Sequence, residues 1–504
     1  MKKLNIIVMA LLSVLFTFVG GKVVMADDAS AVPTYTLTLN GTTKGHTYEV
    51  YQIFAGDLST DGTTLTNISW GSGVKAFNFN GSLNAAVIAE SLGSTYDSDT
   101  AKSFATEASA HLNTAAKTVS STATTTTISG LTAGYYLVKD KDESQTGENS
   151  SYTRFIMQVV GNSTATLKSD VPSVEKKVKD TNDTLGITTD WQDSADHDIN
   201  DTVPFQLTAT LPSNLADYKE YYLELSDTLS AGLTYNKDAK VYLVNGDSKI
   251  DVTSSFTIAE DGSSFKINNL KSLNGDVSSS KVVVAYTATL NENAVIGSAG
   301  NPNTVKLIYS NNPNYTGTGD NSPKGETPKD TVIVFTYKAI INKVDKEQNP
   351  LSGAEFTLSK VMSDGSLKEV AVVKNDAGTT FTFSGLDDGN YILSETKVPN
   401  GYNKIEDIEF TVMADHDVIS DNPQLKSLSG VENTALPQDS ALDADGLVFT
   451  PNTADGSLTA NVVNKKGSVL PSTGGKGTAI LYTLGGVLVL SAGIFLSVKK
   501  FKKA

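Results

Sequence analysis

The residues of this sequence that could do chemistry fall into two kinds. The first is a set of lysines, acids and asparagines that strand alternation turns inward. Tyr391, Leu393 and Glu395 share one face, so Glu395 points where two apolar residues point. Ile341 shares a face with Lys343, and Val462 with Asn464. Upstream, Val174, Lys176 and Val178 alternate inward while Glu175, Lys177 and Lys179 face solvent. Leu223, Leu225 and Asp227 share a face, which turns Asp227 inward and Glu224 outward; Asn303, Val305 and Leu307 share another. Low dielectric disfavours the charged forms of both a lysine and a carboxyl. A neutral amine is a nucleophile, and a protonated acid beside it can polarise an asparagine carbonyl and shuttle protons. On chemistry alone, the simpler outcome is a buried ion pair with a hydrogen-bonded asparagine.

The second kind is a sequence an enzyme could grip, Leu470-Pro471-Ser472-Thr473-Gly474, in which Pro471 imposes an extended, bent backbone. Behind it, Thr478 to Val498 is a run of 21 residues without a charge. As a helix it spans about 31 Å, the thickness of a hydrocarbon core. Lys499, Lys500, Lys502 and Lys503 follow and set that end in the cytoplasm. At the other end, Met1-Lys2-Lys3, an apolar run from Leu4 to Val19 and the small residues of Val24-Met25-Ala26 form a secretory signal peptide, cleaved after Ala26.

Much chemistry is excluded. The chain has no cysteine, which removes disulfides, thiolate metal sites and cysteine nucleophiles. His46, His111, His197 and His416 are isolated in sequence, so no imidazole-based metal centre is expected. Asp193, Asp196, His197 and Asp198 lack calcium-loop spacing and read as a solvated loop; Asp443-Ala444-Asp445-Gly446 reads as a turn. No phosphate-binding glycine loop, nucleophile elbow or paired-carboxylate motif occurs, so neither a metabolic enzyme nor a cofactor is expected. Without the three N-terminal and five C-terminal lysines, the body holds 32 bases against 56 acids. Such a surface argues against nucleic-acid binding.

The body, residues 27–473, is rich in Thr, Ser, Val, Asn and Gly. Short alternating segments such as Lys281 to Tyr286 are separated by turn clusters such as Asn245-Gly246-Asp247. That pattern predicts an all-β chain of tandem immunoglobulin-like β-sandwiches. Helical spacing is confined to Leu83–Leu92 and Thr100–Leu112. The threonine-rich stretch Thr118–Thr127 reads as a loop or edge strand. Pro-containing stretches at Lys168–Pro172 and Asn311–Lys329 divide the body into three modules, giving a signal peptide at 1–26, modules at 27–170, 171–330 and 331–469, and an anchor at 470–504 with its transmembrane helix.

The pentapeptide, apolar span and basic tail, in that order, resemble the cell-wall sorting signal of Gram-positive surface proteins. The run from Gly389 to Tyr402, with Tyr391, Glu395, Pro399 and Gly401, resembles the E-box of sortase-assembled backbone pilins and collagen-adhesin B-type domains. This resemblance implies sortase cleavage between Thr473 and Gly474, and an isopeptide bond between Lys343 and Asn464 directed by Glu395. The middle module is similar to the middle domain of backbone pilins, which implies a bond between Lys176 and Asn303 with Asp227 as the acid. The first module resembles the family loosely, around Gly45 to Phe54 and Gly134 to Asp140, and no bond is assigned there. By position, Lys168 matches the lysine whose amine accepts the threonine of the neighbouring subunit, although the flanking Tyr, Pro and Asn of the family motif are missing. The implied function is the shaft subunit of a covalent surface pilus in a Gram-positive cell wall. Its implied partners are sortase, identical subunits, minor pilins, peptidoglycan and a host surface ligand. A monomeric wall-anchored adhesin, or a minor pilin at the tip or base, carries the same anchor and E-box and is the alternative.

Overall fold

The structure, a computed structural model, describes residues 32–466 apart from 94–97, 146, 168–169, 276 and 434–446. The signal peptide, Lys168, the Asp443–Gly446 turn and the whole of residues 470–504 therefore lie outside the described residues.

Nearly all regular structure is β, as the alternation predicts. Strand Tyr35–Asn40 runs between Thr125–Leu131 and Ser163–Thr166, pairing in parallel with the latter. A five-stranded sheet built on Thr47–Leu58 and Gly134–Asp140 completes the first module's strands. The threonine-rich stretch supplies strand Lys117–Ser120 and the start of edge strand Thr125–Leu131. Helices Ala85–Leu92 and Asp99–Ser109 stand where the three- and four-residue spacing predicts them. Asn84 caps the first by accepting from Ala86 N and Val87 N, and Ser98 caps the second. Both turn an alanine-rich face into the cluster of Phe54 and Phe77, to which the second helix adds its own Phe104.

Between Ser173 and Phe335, a six-stranded and a seven-stranded sheet share one core in which Phe205, Leu225, Phe265 and Leu307 are fully buried. From Tyr337 to Asn464, two five-stranded sheets share a second core around Phe356, Phe383, Tyr391 and Phe410. The Asn311–Lys329 segment decorates the middle sheet, because Lys324–Glu326 pairs with Asn301–Ser310. Strand Asp330–Phe335 also belongs to that sheet, pairing with Asn301–Val305. The change of sheet thus comes at Thr336.

The Asp193–Asp198 region is not a solvated loop. Asp193, Asp196, His197 and Asp198 are all buried, because strand Ser194–Asp196 pairs in parallel with Ile333–Phe335 and the third module closes over it. The Lys360 ammonium contacts Asp387 and, at 3.2 Å, Asp198 Oδ2; Lys368 Nζ lies 3.1 Å from Asp201. Beside this network, His416 Nδ1 is 2.7 Å from Ser194 Oγ, and its Nε2 is 3.6 Å from Asp180.

This junction holds protons. Burial, then the charges of Asp180 and Asp388, push Asp196 up to about 8. Burial opposes charge on His416 and His197, but hydrogen bonds to Asp180 and Asp201 respectively, with nearby carboxylates, raise both imidazoles above their ordinary value. All three groups bind protons more tightly folded than unfolded, so their stabilisation is lost as pH rises through their folded pKa values. Asp180 and Asp201 are held low and matter only in acid, while Lys360 is held high and stays charged throughout. The melting temperature of residues 171–469, measured by calorimetry, should therefore fall between pH 6 and pH 7.5, below the range in which the lowered lysines Lys176 and Lys343 act with the opposite sign. His416→Gln should flatten that slope, and a melting temperature that rises over this interval would contradict the assignment.

Candidate isopeptide sites

Four strands of the middle module bring their inward faces to one point. Lys176 comes from Ser173–Val178, at the edge of the six-stranded sheet, and Asp227 and Asn303 come from the neighbouring strands Leu223–Leu229 and Asn301–Ser310 of the other sheet. Alternation sets the directions: Lys176, Asp227 and Asn303 are buried, while Glu175 is exposed and Lys177 and Glu224 are only half-buried. Glu224 instead accepts from Tyr222 Oη at 2.5 Å and Ser264 Oγ at 2.6 Å. The Lys176 ammonium donates to Asp227 and lies 2.6 Å from Asn303 Oδ1.

A fourth side chain, not singled out from the sequence, completes this site. Tyr286, on strand Lys281–Leu290, donates to Asp227 Oδ2 at 2.5 Å and accepts from Asn303 Nδ2 at 2.7 Å; its hydroxyl is 3.2 Å from Lys176 Nζ. Its inward place, alternating with Val282, Val284 and Ala288, was readable as core packing, and nothing local marked the hydroxyl as part of a polar site.

In the third module, Lys343 lies on Tyr337–Asp345 and Asn464 on Ser457–Asn464, neighbouring parallel strands in one sheet, with Lys343 opposite Val462. Glu395 reaches them from Gly389–Lys397 in the facing sheet. All three are fully buried. Asn464 Nδ2 donates to both Glu395 oxygens, at 2.9 and 3.2 Å, and Lys343 Nζ donates to the Val462 carbonyl at 2.9 Å. These are the first and last strands of the third module. The middle site differs: Lys324–Glu326 and Asp330–Phe335 both follow the asparagine strand, so Asn303 stands two strands before the end.

Burial pushes the Lys176 ammonium down to about 8 against the opposing pull of Asp227 and Asp330. It brings Lys343 down to about 8 as well, against Glu395. Lys360 is as deeply buried, yet Asp387, Asp198 and Asp183 crowd it and raise its pKa. It remains a cation in a salt-bridge network. Lys176 and Lys343 are held nearer the neutral, nucleophilic form than the lysine crowded by three carboxylates.

Against known proteins, three family models match in chain order. A Gram-positive pilin backbone subunit 2, Cna-B-like domain matches residues 199–313, a SpaA prealbumin-like fold domain matches 338–424, and an LPXTG cell wall anchor motif matches 462–504. The trypsin-resistant surface T6 protein of Streptococcus pyogenes serotype M6 is 28% identical over 392 residues, covering 66% of this chain and 70% of that protein. The serine-aspartate repeat-containing protein E of Staphylococcus aureus is 28% identical over 221 residues, 38% of this chain and 18% of that one. Among solved structures, the T6 backbone pilin of serotype M6 Streptococcus pyogenes, described as a modular three-domain structure, superposes with a TM-score of 0.54. It is 20% identical and covers 86% of this chain and 99% of that one. The matched regions are thus a pilin-backbone Cna-B-like domain in the middle module, a SpaA prealbumin-like domain in the third and an LPXTG cell wall anchor motif behind them. The chain is a cell-wall-anchored surface protein.

The geometry separates two neighbouring acids by their cost. Asp227→Ala leaves Lys176 buried without its counter-charge and should destabilise the middle module by about 3–5 kcal/mol. Glu224→Ala removes half-buried hydrogen bonds and should cost about 1 kcal/mol. Urea unfolding of the two variants would show the difference, and equal costs would contradict the strand register.

Proposed function

We propose that this chain is the shaft subunit of a covalently polymerised surface pilus, in which sortase joins Thr473 of one subunit to a lysine of the next, and in which Lys176–Asn303 and Lys343–Asn464 isopeptide bonds brace the middle and third modules. Asp227 and Glu395 are the acids that direct the bonds. One observation carries the reading: two buried lysine–acid–asparagine sets, the middle one in mutual contact and the third with Asn464 on Glu395 and Lys343 on the nearby Val462 carbonyl, in a chain with a matched pilin-backbone domain and a matched wall-anchor motif. The protein is a structural subunit and a substrate of sortase, and the bond-forming chemistry is its own and happens once. Lys168 is the acceptor we assign on position, with Lys177 and Lys179 its nearest rivals. Lys177 is occupied by an ion pair with Asp193 at 2.6 Å, which makes it a poor amine to offer an enzyme. Peptidoglycan receives the terminal subunit, and minor pilins and a host ligand are the remaining partners of the reading.

Two outcomes follow. Recombinant residues 171–469 should have a mass lower than the sequence mass by two ammonias, with tryptic peptides joined at Lys176–Asn303 and Lys343–Asn464; an unreduced mass would remove both bonds. Wall extracts boiled in detergent should give a ladder of polymers on an immunoblot, and Lys168→Ala should collapse it to monomer with secretion and anchoring intact. A single band from the wild type would favour the monomeric adhesin, whereas a ladder that persists in the variant would move the acceptor to another lysine.

A further inference from the structure

The two sites solve one problem with different parts. Forming the bond requires that a proton reach the asparagine nitrogen as it leaves. In the third module, Glu395 touches that nitrogen directly, with Asn464 Nδ2 donating to both carboxylate oxygens. In the middle module the acid is an aspartate, one methylene shorter, and its hydrogen bonds go to the Lys176 ammonium and the Tyr286 hydroxyl. The leaving nitrogen, Asn303 Nδ2, bonds instead to that same hydroxyl at 2.7 Å. The chain of contacts from Asp227 to Asn303 Nδ2 therefore runs through a phenol.

We propose that Tyr286 is a catalytic residue of the middle module's isopeptide bond, relaying the proton between Asp227 and the departing nitrogen. This rests on the Lys176–Asn303 bond proposed above. Lys176 Nζ first gives a proton to Asp227, and the freed amine attacks Asn303 Cγ. Asp227 then passes its proton to the Tyr286 oxygen as Tyr286 passes its own to Nδ2. The Cγ–Nδ2 bond breaks with its electron pair on nitrogen, ammonia leaves, and Nζ cedes its surplus proton back to Asp227. A new Nζ–Cγ amide replaces the old one, with no oxidant or outside reagent. Once Asp227 is protonated, the Asp227–Tyr286–Asn303 hydrogen bonds need only reverse direction.

The surroundings suit a relay. Tyr286 is 3% exposed, so bulk water does not compete for the proton. Its ring is stacked between Phe205 at 5.5 Å and Phe265 at 5.7 Å, with Tyr235 edge-on at 5.6 Å, which holds the hydroxyl in place. Burial, then the Asp227 charge, raise the phenol well above its ordinary value, so it remains a proton carrier rather than an anion.

The test uses the mature extracellular chain, residues 27–473, followed by intact mass from the earliest time after synthesis. Tyr286→Phe keeps the ring and its stacking but removes the relay, so bond formation in the middle module should slow on the order of 100-fold, the scale of a lost acid–base group. The third module is the internal control: early Y286F samples should be short of one ammonia where the wild type is short of two. A double variant, Y286F with Asp227→Glu, gives the acid the reach that Glu395 has, and should regain the second loss. That rescue separates the relay from packing, because both variants carry the same phenylalanine. Y286F closing at the wild-type rate, or a folded double variant that does not recover, would overturn the proposal. A wild type that loses no ammonia in the middle module would instead remove the bond itself, and the relay with it.

Discussion

A lysine ammonium enclosed by a protein core is the constraint on which the rest of this structure turns. Removing such an ion from water costs several kcal/mol even after relaxation, and a single carboxylate partner need not recover it. The fold meets that cost in two ways. Lys360 is given three carboxylates and stays charged, clamping the third module to the segment between Ser173–Val178 and Thr202–Thr210 of the middle one. Lys176 is given one contacting acid, a phenol and an amide, and Lys343 a backbone carbonyl with the Glu395 charge nearby, and burial brings both down to about 8. A lysine poised there can escape the penalty by ceasing to be an ion, through amide formation. The same desolvation that would weaken an ordinary core would thus drive the bond formation proposed for this one.

The placement of the two proposed bonds follows from sheet topology. In the third module, the lysine and asparagine strands are parallel neighbours, so the bond would reinforce a pairing at the module's two ends. In the middle module, they lie in different sheets, so the bond would pin one sheet to the other. In the third module, load entering at either end would meet the proposed link before it reaches most of the hydrogen bonds. A chain without cysteine that works outside the cell gains from this what disulfides supply elsewhere.

Much of this was legible because a strand has period two. Val174 and Val178 on either side of Lys176, and Leu223 and Leu225 before Asp227, were enough to turn those polar residues inward and leave Glu224 outside. Two things were not legible. Asp196, His197 and Asp198 read as a solvated loop because their burial depends on Lys360, Asp387 and His416, more than 160 residues away in the third module. Tyr286 read as core because an inward aromatic in an alternating strand almost always is; its hydroxyl acquires a role only when Asp227 and Asn303, from two other strands, arrive beside it. Period two reports direction, and says nothing about which distant side chain waits at the end of it.

The central claim is that the load path through each braced module is covalent, and stretching a single molecule tests it most directly. With the body of the chain held at residue 171 and residue 469, an intact Lys343–Asn464 link would withhold the roughly 120 residues between its ends, about 400 Å of contour length at ~3.4 Å per residue. The account predicts that the wild-type third module shows no unfolding step of that length, whereas Glu395→Ala shows one. A wild-type step of that length would contradict it.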